Sequence, residues 1–181
     1  MIKKDFNEFL LIKEKDELLK IDWENNKNEW LLKLDALYKL FEKSLQEYVI
    51  NNRISITYNN IEITEEYIGS YKAKSMTIKF GGEKILLKPI GTNLIGAKGR
   101  VDMSGSYGST KIVLVNSNMK GLYGHIKVSI HVDTDGLITH KKHKLEEIIW
   151  EWKFSALSPK LLYIPVNEET IYSTIMELSN G

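Results

Sequence analysis

Residues 28–50, NEWLLKLDALYKLFEKSLQEYVI, decide the fold. Large apolar side chains recur in this stretch at steps of three or four residues, which is the period of one helical face. They are Trp30, Leu34, Leu37, Phe41, Leu45 and Tyr48. The pattern predicts an amphipathic helix over 27–51, capped by Asn26 and ended by Asn51 and Asn52. Its length would allow coiled-coil pairing, but we favour a helix that covers one face of a sheet, because strand patterns follow it.

The residues before this helix are charged, and apolar side chains are scattered among them. We predict that 1–26 form an N-terminal arm or a short helix that packs on the body. Charges interrupt the segment every few residues, so it lacks the apolar core of a signal peptide. No apolar run in the chain approaches the length of a membrane span.

After Asn52 the apolar period changes from 3.6 to 2, which is typical of half-buried strands. RISITYNNIEIT, at 53–64, predicts a hairpin that turns at Asn59-Asn60, and Gly81-Gly82 predicts a second turn. Further strand patterns are TKIVLVN, GHIKVSIHV, EIIWEWKFSAL and KLLYI. We therefore predict an antiparallel β region over 53–165 and a short helix over 167–179, with Asn167 as its N-cap.

The order of these elements predicts an α+β protein. A long N-terminal helix would pack on a strongly curved antiparallel sheet or partial barrel, and a short C-terminal helix would close the chain. No linker or internal repeat divides the 181 residues, so we predict one domain over 1–181.

Composition excludes some functions and weakens others. The chain has no cysteine, which excludes disulfides, thiolate catalysis and Cys-ligated zinc. With 25 basic and 24 acidic residues the net charge is +1, so no strong field favours nucleic acid or a membrane surface. We expect a cytoplasmic protein that is not bound to a membrane.

The segment 89–109, PIGTNLIGAKGRVDMSGSYGS, holds five of the twelve glycines and sets Arg100 beside Asp102. P-loop and GxGxxG spacings are absent from it, which argues against nucleotide binding. Two interpretations stay open. The glycines could form sharp bends in a curved sheet, or Arg100 and Asp102 could belong to a binding site.

A second candidate site pairs Asp102 with Glu151 and Lys153. Glu151-Trp152-Lys153 resembles the Glu-x-Lys strand of nucleases of the PD-(D/E)xK class, and Asp102 resembles the first acidic residue of that class. The resemblance implies a magnesium ion on the carboxylates and a lysine that stabilises charge during hydrolysis. The two acids lie 49 residues apart (151 minus 102), whereas that class joins them by a short hairpin. We predict that their carboxylates do not face each other across one cleft.

A histidine- and lysine-rich segment and a set of alternating aromatic residues are two further candidate sites, and each also has a simpler structural interpretation. The histidines at 125, 131, 140 and 143 lie near Lys141, Lys142 and Lys144, and we interpret 140–144 as a solvated loop that could contact a partner. Trp150, Trp152 and Phe154 alternate with charged residues. Such aromatic side chains could stack on unpaired bases, but a core position is the interpretation we favour.

Three stretches together carry a family resemblance: LLKPIGTNLIGAKGRVDM at 86–103, KIVLV at 111–115 and WEWKFSALSPKLLYIPVNEETIYSTIMEL at 150–178. They resemble a set of bacterial proteins of unassigned function that combine a GRVDM-like segment with a later Trp-x-Trp-Lys strand and a closing helix. The resemblance runs from about Gly69 to the end. It implies a bacterial, cytoplasmic protein and assigns no residue a role.

These observations favour a non-enzymatic, β-rich binding or interaction module without a cofactor. Its partner would be another bacterial protein or a second copy of the chain. The alternatives are a magnesium-dependent nuclease that uses Asp102, Glu151 and Lys153, and a domain that binds single-stranded nucleic acid through the sheet aromatics.

Overall fold

The computed structural model describes residues 2–92, 97–117, 149–157 and 161–180. Two helices and seven strands lie in these ranges. They are α1 (Ile2–Ile50), β1 (Ser55–Glu65), β2 (Gly69–Phe80), β3 (Glu83–Gly91), β4 (Gly99–Gly105), β5 (Gly108–Asn116), β6 (Trp150–Leu157), β7 (Leu161–Pro165) and α2 (Glu168–Asn180).

The predicted boundary between an arm over 1–26 and a helix over 27–51 is wrong, because α1 is one helix through Asn26. Asparagine lowers helix stability by only about 0.5–0.7 kcal/mol relative to alanine, and no glycine or proline precedes residue 51. An ion pair between Lys27 and Glu24, three residues apart, spans the predicted boundary. The end of the helix was predicted correctly, since Asn52 takes a left-handed conformation with φ of 55°.

The described core residues that α1 contributes lie in its C-terminal half. Its apolar stripe is buried against side chains from the sheet and from α2. The buried members of the stripe are Trp30, Leu34, Leu37, Tyr38, Phe41 and Leu45. Full burial of one such aliphatic or aromatic side chain contributes about 1.5–3 kcal/mol, so this half of the helix is held by tertiary packing.

The seven strands form one antiparallel sheet in chain order, β1 to β7. Each described strand pairs with the next one in this order, and the seven described strands do not close into a barrel, so β1 and β7 are the edges of this sheet. The predicted α+β class and antiparallel sheet are confirmed.

The hairpin predicted at Asn59-Asn60 is wrong. β1 passes through these residues without interruption and pairs with β2 along its whole length. The apolar side chains of β1 change from even positions, such as Ile56, to odd positions, such as Ile61, and both of these pack against the core. The strand twists, so that one face packs on the core in its first half and the opposite face does so in its second half. The resulting switch of apolar residues from even to odd positions resembles, in the sequence, two strands joined by a turn. The observed turn lies just before Gly69, whose φ is 79°.

β2 separates from β3 over half of its length. β2 pairs with β3 only over Met76–Phe80, but it stays paired with β1 as far as Gly69. The outer half of the β1–β2 hairpin is therefore not paired with β3 in the sheet, and it packs Ile63 and Tyr71 into the core. The predicted turn at Gly81-Gly82 is confirmed by positive φ angles at both residues.

α2 begins as predicted. The backbone N–H of Thr170 donates to Asn167 Oδ1 and the N–H of Asn167 donates to Thr170 Oγ1, both at 2.9 Å, which is a reciprocal cap. Ile171, Ile175 and Leu178 are buried on one face of this helix. The strand predicted from GHIKVSIHV falls at 124–132, outside the described residues, and the single domain over 1–181 stays a prediction.

Candidate functional site

Arg100 and Asp102 bind each other on β4. The guanidinium donates from Nε to Oδ1 at 2.6 Å and from Nη2 to Oδ2 at 2.8 Å. Val101 and Met103, which alternate with them, are buried in the core. The pair therefore lies on the sheet face away from the helices, with side chains about one-third exposed. A bidentate pair of this kind uses much of the hydrogen-bonding capacity of both groups. A role for Arg100 and Asp102 in binding a partner stays a prediction.

Among the described glycines of the 89–109 segment, two allow the helices to approach the sheet closely and one lies at an irregularity of the sheet. A Cβ at Gly99 would lie 2.1 Å from the Trp30 ring, and one at Gly105 would lie 2.4 Å from the Leu178 carbonyl oxygen. Gly91, at φ of 138°, sits at a register shift between β3 and β4. Residues 93–96, including Gly96, lie outside the described ranges.

Lys153 is buried and Glu151 beside it is half exposed. Lys153 Nζ donates to the carbonyl oxygen of Ser117 at 2.6 Å and lies 3.8 Å from Glu151 Oε2. A buried ammonium needs such partners, because an unpaired charge away from water is strongly unfavourable. These contacts give Lys153 a role in joining β6 to the end of β5.

The register does not bring Asp102 and Glu151 together. Asp102 lies opposite Lys111 on β5, and Glu151 lies opposite Val115 on the same strand. Four residues along a strand span about 13 Å, and β4 and β6 are about 10 Å apart across β5. Two carboxylates at that separation are too far apart to bind one magnesium ion. Across the described ranges, no three His, Asp or Glu side chains form a group that could hold a metal ion.

The aromatic residues of β6 face the helices. Phe154 is buried. Trp152 donates its indole N–H to the Lys33 carbonyl oxygen at 2.9 Å, and its ring centroid lies 5.8 Å from that of Trp30. α1 therefore packs on the face that a single strand would need for stacking. Lys141, Lys142, Lys144 and the four histidines lie outside the described residues.

A cleft lies between α1 and the ends of β3, β4 and β5, and we call it the indole cleft. It encloses about 190 Å³. Its lining residues are Trp23, Asn26, Glu29, Trp30, Lys33, Thr92, Ala97, Lys98 and Leu114. At its rim the Trp23 ring stacks on Tyr67, with centroids 5.1 Å apart and planes 11° from parallel. This stack fixes the Trp23 ring where α1 meets the β1–β2 turn.

Two lysines give the indole cleft a positive charge. Lys98 Nζ donates to Glu29 Oε2 at 2.8 Å and lies 4.9 Å from the centroid of the Trp150 ring, a cation–π distance. For Lys33, by contrast, no carboxylate among the described residues lies within 4 Å of its ammonium, and only its backbone carbonyl accepts a hydrogen bond. Among its described lining residues, one carboxylate and two ammonium groups give a formal charge of +1.

A buried carboxylate lies behind the cleft wall. Glu65 is only 9% exposed, and its Oε1 accepts a hydrogen bond from the Tyr71 hydroxyl at 2.5 Å. Its Oε2 accepts from the backbone N–H and the hydroxyl of Thr92, at 2.8 and 2.9 Å. Burial and the Glu65 carboxylate raise the pKa of Tyr71. The network joins the end of the β1–β2 hairpin to the end of β3, where these strands no longer pair.

Trp30 places a buried donor beside this network. Its Nε1 has no partner within hydrogen-bond geometry in the described structure, and the residue is 2% exposed. The indole N–H is nevertheless close enough to the Tyr71 oxygen to oppose part of the rise in the pKa of that phenol. We therefore treat it as a weakly satisfied donor, which is uncommon for a buried polar group.

The first third of α1 exposes apolar side chains. We call residues 6–15 the stem, and every side chain in it is exposed. Phe6, Phe9, Leu11 and Ile12 each expose more than half of their surface, and Leu10 exposes 40%. The Phe6 and Phe9 rings stack at 6.3 Å, and Lys13 Nζ lies 5.8 Å from the Phe9 centroid.

Sequence reasoning missed Trp23, Lys33, Glu65 and the stem as functional candidates. One signal for Glu65 was present, because it shares the parity of Ile61 and Ile63 and so falls on the buried side of β1. Trp23 lies seven residues before Trp30, which continues the helical stripe. Nothing in the sequence placed Lys33 beside the end of β4.

Comparison with protein-family models, curated proteins and solved structures gives no match. The resemblance to bacterial proteins with GRVDM-like and Trp-x-Trp-Lys segments therefore stays a prediction. In the described part of the chain, no helix is long and apolar enough to cross a membrane.

Proposed function

We propose that the protein is a non-enzymatic, β-rich interaction module of the bacterial cytoplasm, and that its partner is a second copy of the chain held through the stem. The observation that carries the proposal is the set of exposed apolar side chains between Phe6 and Ile12. Full burial of an exposed side chain of this type contributes about 1.5–3 kcal/mol, so burial of these roughly half-exposed side chains would contribute about half of that each. An apolar patch of this kind is typical of an interaction site.

The stem offers one continuous face to a partner helix. Phe6, Phe9 and Leu10 lie at positions i, i+3 and i+4, which places them side by side on the helix surface. Lys13, over the Phe9 ring, lies on the same face. This arrangement is suited to helix-against-helix packing through interdigitated side chains.

Charge favours an antiparallel arrangement of two stems. In-register parallel pairing sets identical residues side by side, so Lys13 would meet Lys13 and Glu17 would meet Glu17. Antiparallel pairing about the midpoint of Phe9 and Leu10 instead sets Lys13 of one copy opposite Phe6 of the other. An ammonium over a phenyl face is attractive, whereas paired like charges are repulsive.

The size of the contact predicts weak, concentration-dependent association. Stable interfaces bury about 1,200–2,000 Å² in total, and two ten-residue helical segments with a handful of apolar side chains each fall at or below the lower end. The net charge of +1 neither drives the copies together nor holds them far apart. A reversible dimer is therefore expected.

Sedimentation velocity over a concentration series tests this proposal. The wild type should shift from monomer towards dimer as concentration rises, and Leu10→Glu should stay monomeric because it puts a charge at the centre of the contact. Leu32→Glu is the matched control, since Leu32 is a 71% exposed leucine on the same helix outside the stem. A wild type that stays monomeric throughout, or a dimer that Leu10→Glu leaves intact, overturns the proposal.

The described geometry favours neither alternative function. The nuclease interpretation needs Asp102 and Glu151 at one metal ion, and the register separates them along β5. The nucleic-acid interpretation needs an open aromatic face, and Trp152 and Phe154 lie on the face that α1 covers. Incubation with nucleic acid and a divalent metal ion tests the nuclease interpretation.

A further inference from the structure

We infer that the indole cleft binds a small single-ring aromatic carboxylate. This inference is independent of the stem, because it rests on Trp23, Trp30, Lys33, Lys98 and Leu114 around one cavity. Size, wall chemistry and charge each limit the class of ligand.

The volume sets the size of the ligand. A protein cavity of about 150 Å³ lined by apolar side chains binds benzene. The indole cleft encloses about 190 Å³. One six-membered ring with one small substituent therefore matches this volume, which is below the roughly 300–1,000 Å³ of typical pockets for drug-sized ligands.

The walls favour a flat ring. Trp23 presents a partly exposed indole ring, and Trp30 and Leu114, which are 2% and 1% exposed, form the apolar floor behind it. Aromatic pairs prefer offset-stacked or edge-to-face contacts and contribute about 0.5–1.5 kcal/mol beyond the burial of area. Because the Trp23 ring is already stacked on Tyr67, little side-chain freedom is lost when a ligand ring packs against it.

The charges favour an anion. Lys98 is neutralised by Glu29 at 2.8 Å, whereas Lys33, one helical turn after Glu29, has no described carboxylate within 4 Å. A ligand carboxylate would therefore gain a charge-assisted hydrogen bond from Lys33 without displacing an existing ion pair. A cationic ligand would meet the net positive lining.

Calorimetric titration of the full chain with benzoate, benzylamine and benzyl alcohol tests the assignment. Benzoate should bind more tightly than either control compound, because only benzoate combines the ring with a negative charge. Lys33→Met should weaken benzoate binding by at least about tenfold, the effect of losing one charge-assisted bond. Trp23→Leu should weaken all three compounds, since it removes the stacking wall.

Two controls keep the result specific. Lys39→Met removes an exposed lysine from the same helix away from the cleft and should leave benzoate affinity unchanged. Leu10→Glu, in the stem, should also leave it unchanged. The inference is overturned if benzoate does not bind, if benzylamine binds as well as benzoate, or if Lys33→Met and Lys39→Met behave alike. A helical spectrum and an unchanged melting temperature for Lys33→Met show that the variant is folded.

Discussion

Trp30 of α1 packs directly on the backbone of Gly99 in β4, so closely that a Cβ there would lie 2.1 Å from Trp30 Cζ3. The contact sets the distance between the helix and the sheet at the indole cleft. Neither residue has space to yield, because Trp30 is 2% exposed and also packs on Trp152.

Gly99→Ala should therefore lower the free energy of unfolding by about 1–3 kcal/mol, the usual effect of overpacking a core. Urea unfolding followed by far-UV circular dichroism measures this loss. Ser104→Ala, on the same strand, should change the stability by less than about 0.5 kcal/mol. In a Trp30→Leu background the smaller side chain removes the clash, so Gly99→Ala should cost clearly less. Equal losses in both backgrounds would show that Trp30 is not the obstacle.

Glu65→Ala should lower the free energy of unfolding much more than removal of an exposed glutamate from the same strand. Its removal leaves the buried Tyr71 hydroxyl and the two partly buried donors of Thr92 without this acceptor, and an unsatisfied buried group such as the Tyr71 hydroxyl costs about 1–3 kcal/mol. Glu65→Gln keeps one acceptor oxygen and should lose less. Glu62→Ala, which removes an exposed glutamate from the same strand, is the control. A Glu65→Ala variant as stable as Glu62→Ala would show that the hydrogen bonds of Glu65 do not stabilise the fold.

Stability should fall at alkaline pH because folded tyrosines resist ionisation. Burial, followed by its hydrogen bond to Glu168, raises the pKa of Tyr172 to about 12, above the ordinary value of about 10. The folded state therefore holds this proton more tightly than the unfolded chain does. Its contribution is complete below about pH 10 and is lost as the pH rises towards about 12. Burial also raises the pKa of Tyr38 and Tyr71.

Urea midpoints measured from pH 8 to pH 11 check this dependence, and absorbance of the phenolates follows the titration. Tyr172→Phe should flatten the alkaline fall, whereas Tyr107→Phe, at a 62% exposed position, should not. Identical alkaline profiles for Tyr172→Phe and the wild type would contradict the assignment.

Incubation with DNA or RNA plus magnesium or manganese should give no cleavage above background. The reason is the offset of Asp102 from Glu151 along β5, which leaves no shared position for a metal ion. The wild type and Glu151→Ala should give the same signal. Cleavage that depends on metal and disappears in Glu151→Ala would restore the nuclease interpretation.

The sequence predicted elements whose signals are local. The stripe from Trp30 to Leu45 fixed a helix and its buried face, and Asn167 fixed the start of α2. The errors arose where tertiary packing overrides a local pattern. Asn26 suggested a cap, yet α1 continues through it. Asn59-Asn60 suggested a turn, yet the strand only changes the face that it turns to the core.

The candidate site was harder to predict, because its residues meet only through the fold. Lys33 and Lys98 lie 65 residues apart (98 minus 33) and line one cleft, since α1 crosses the end of β4. Arg100 and Asp102 were visible as a pair because they lie two apart on one strand. That spacing also explains why they bind each other, and their role in binding a ligand stays a prediction.

A distance measurement between two copies tests the central claim, antiparallel pairing of stems, most directly. The chain has no cysteine, so Glu17→Cys gives one spin-label site per copy on exposed α1 surface. Pairing about Phe9 and Leu10 places the two residues 17 about 22 Å apart along the helix axes, at about 1.5 Å per residue. We expect an inter-copy distance near that value that disappears when Leu10→Glu is added. No inter-copy distance at high protein concentration, or one of only about 10 Å as adjacent parallel helices would give, would contradict the account.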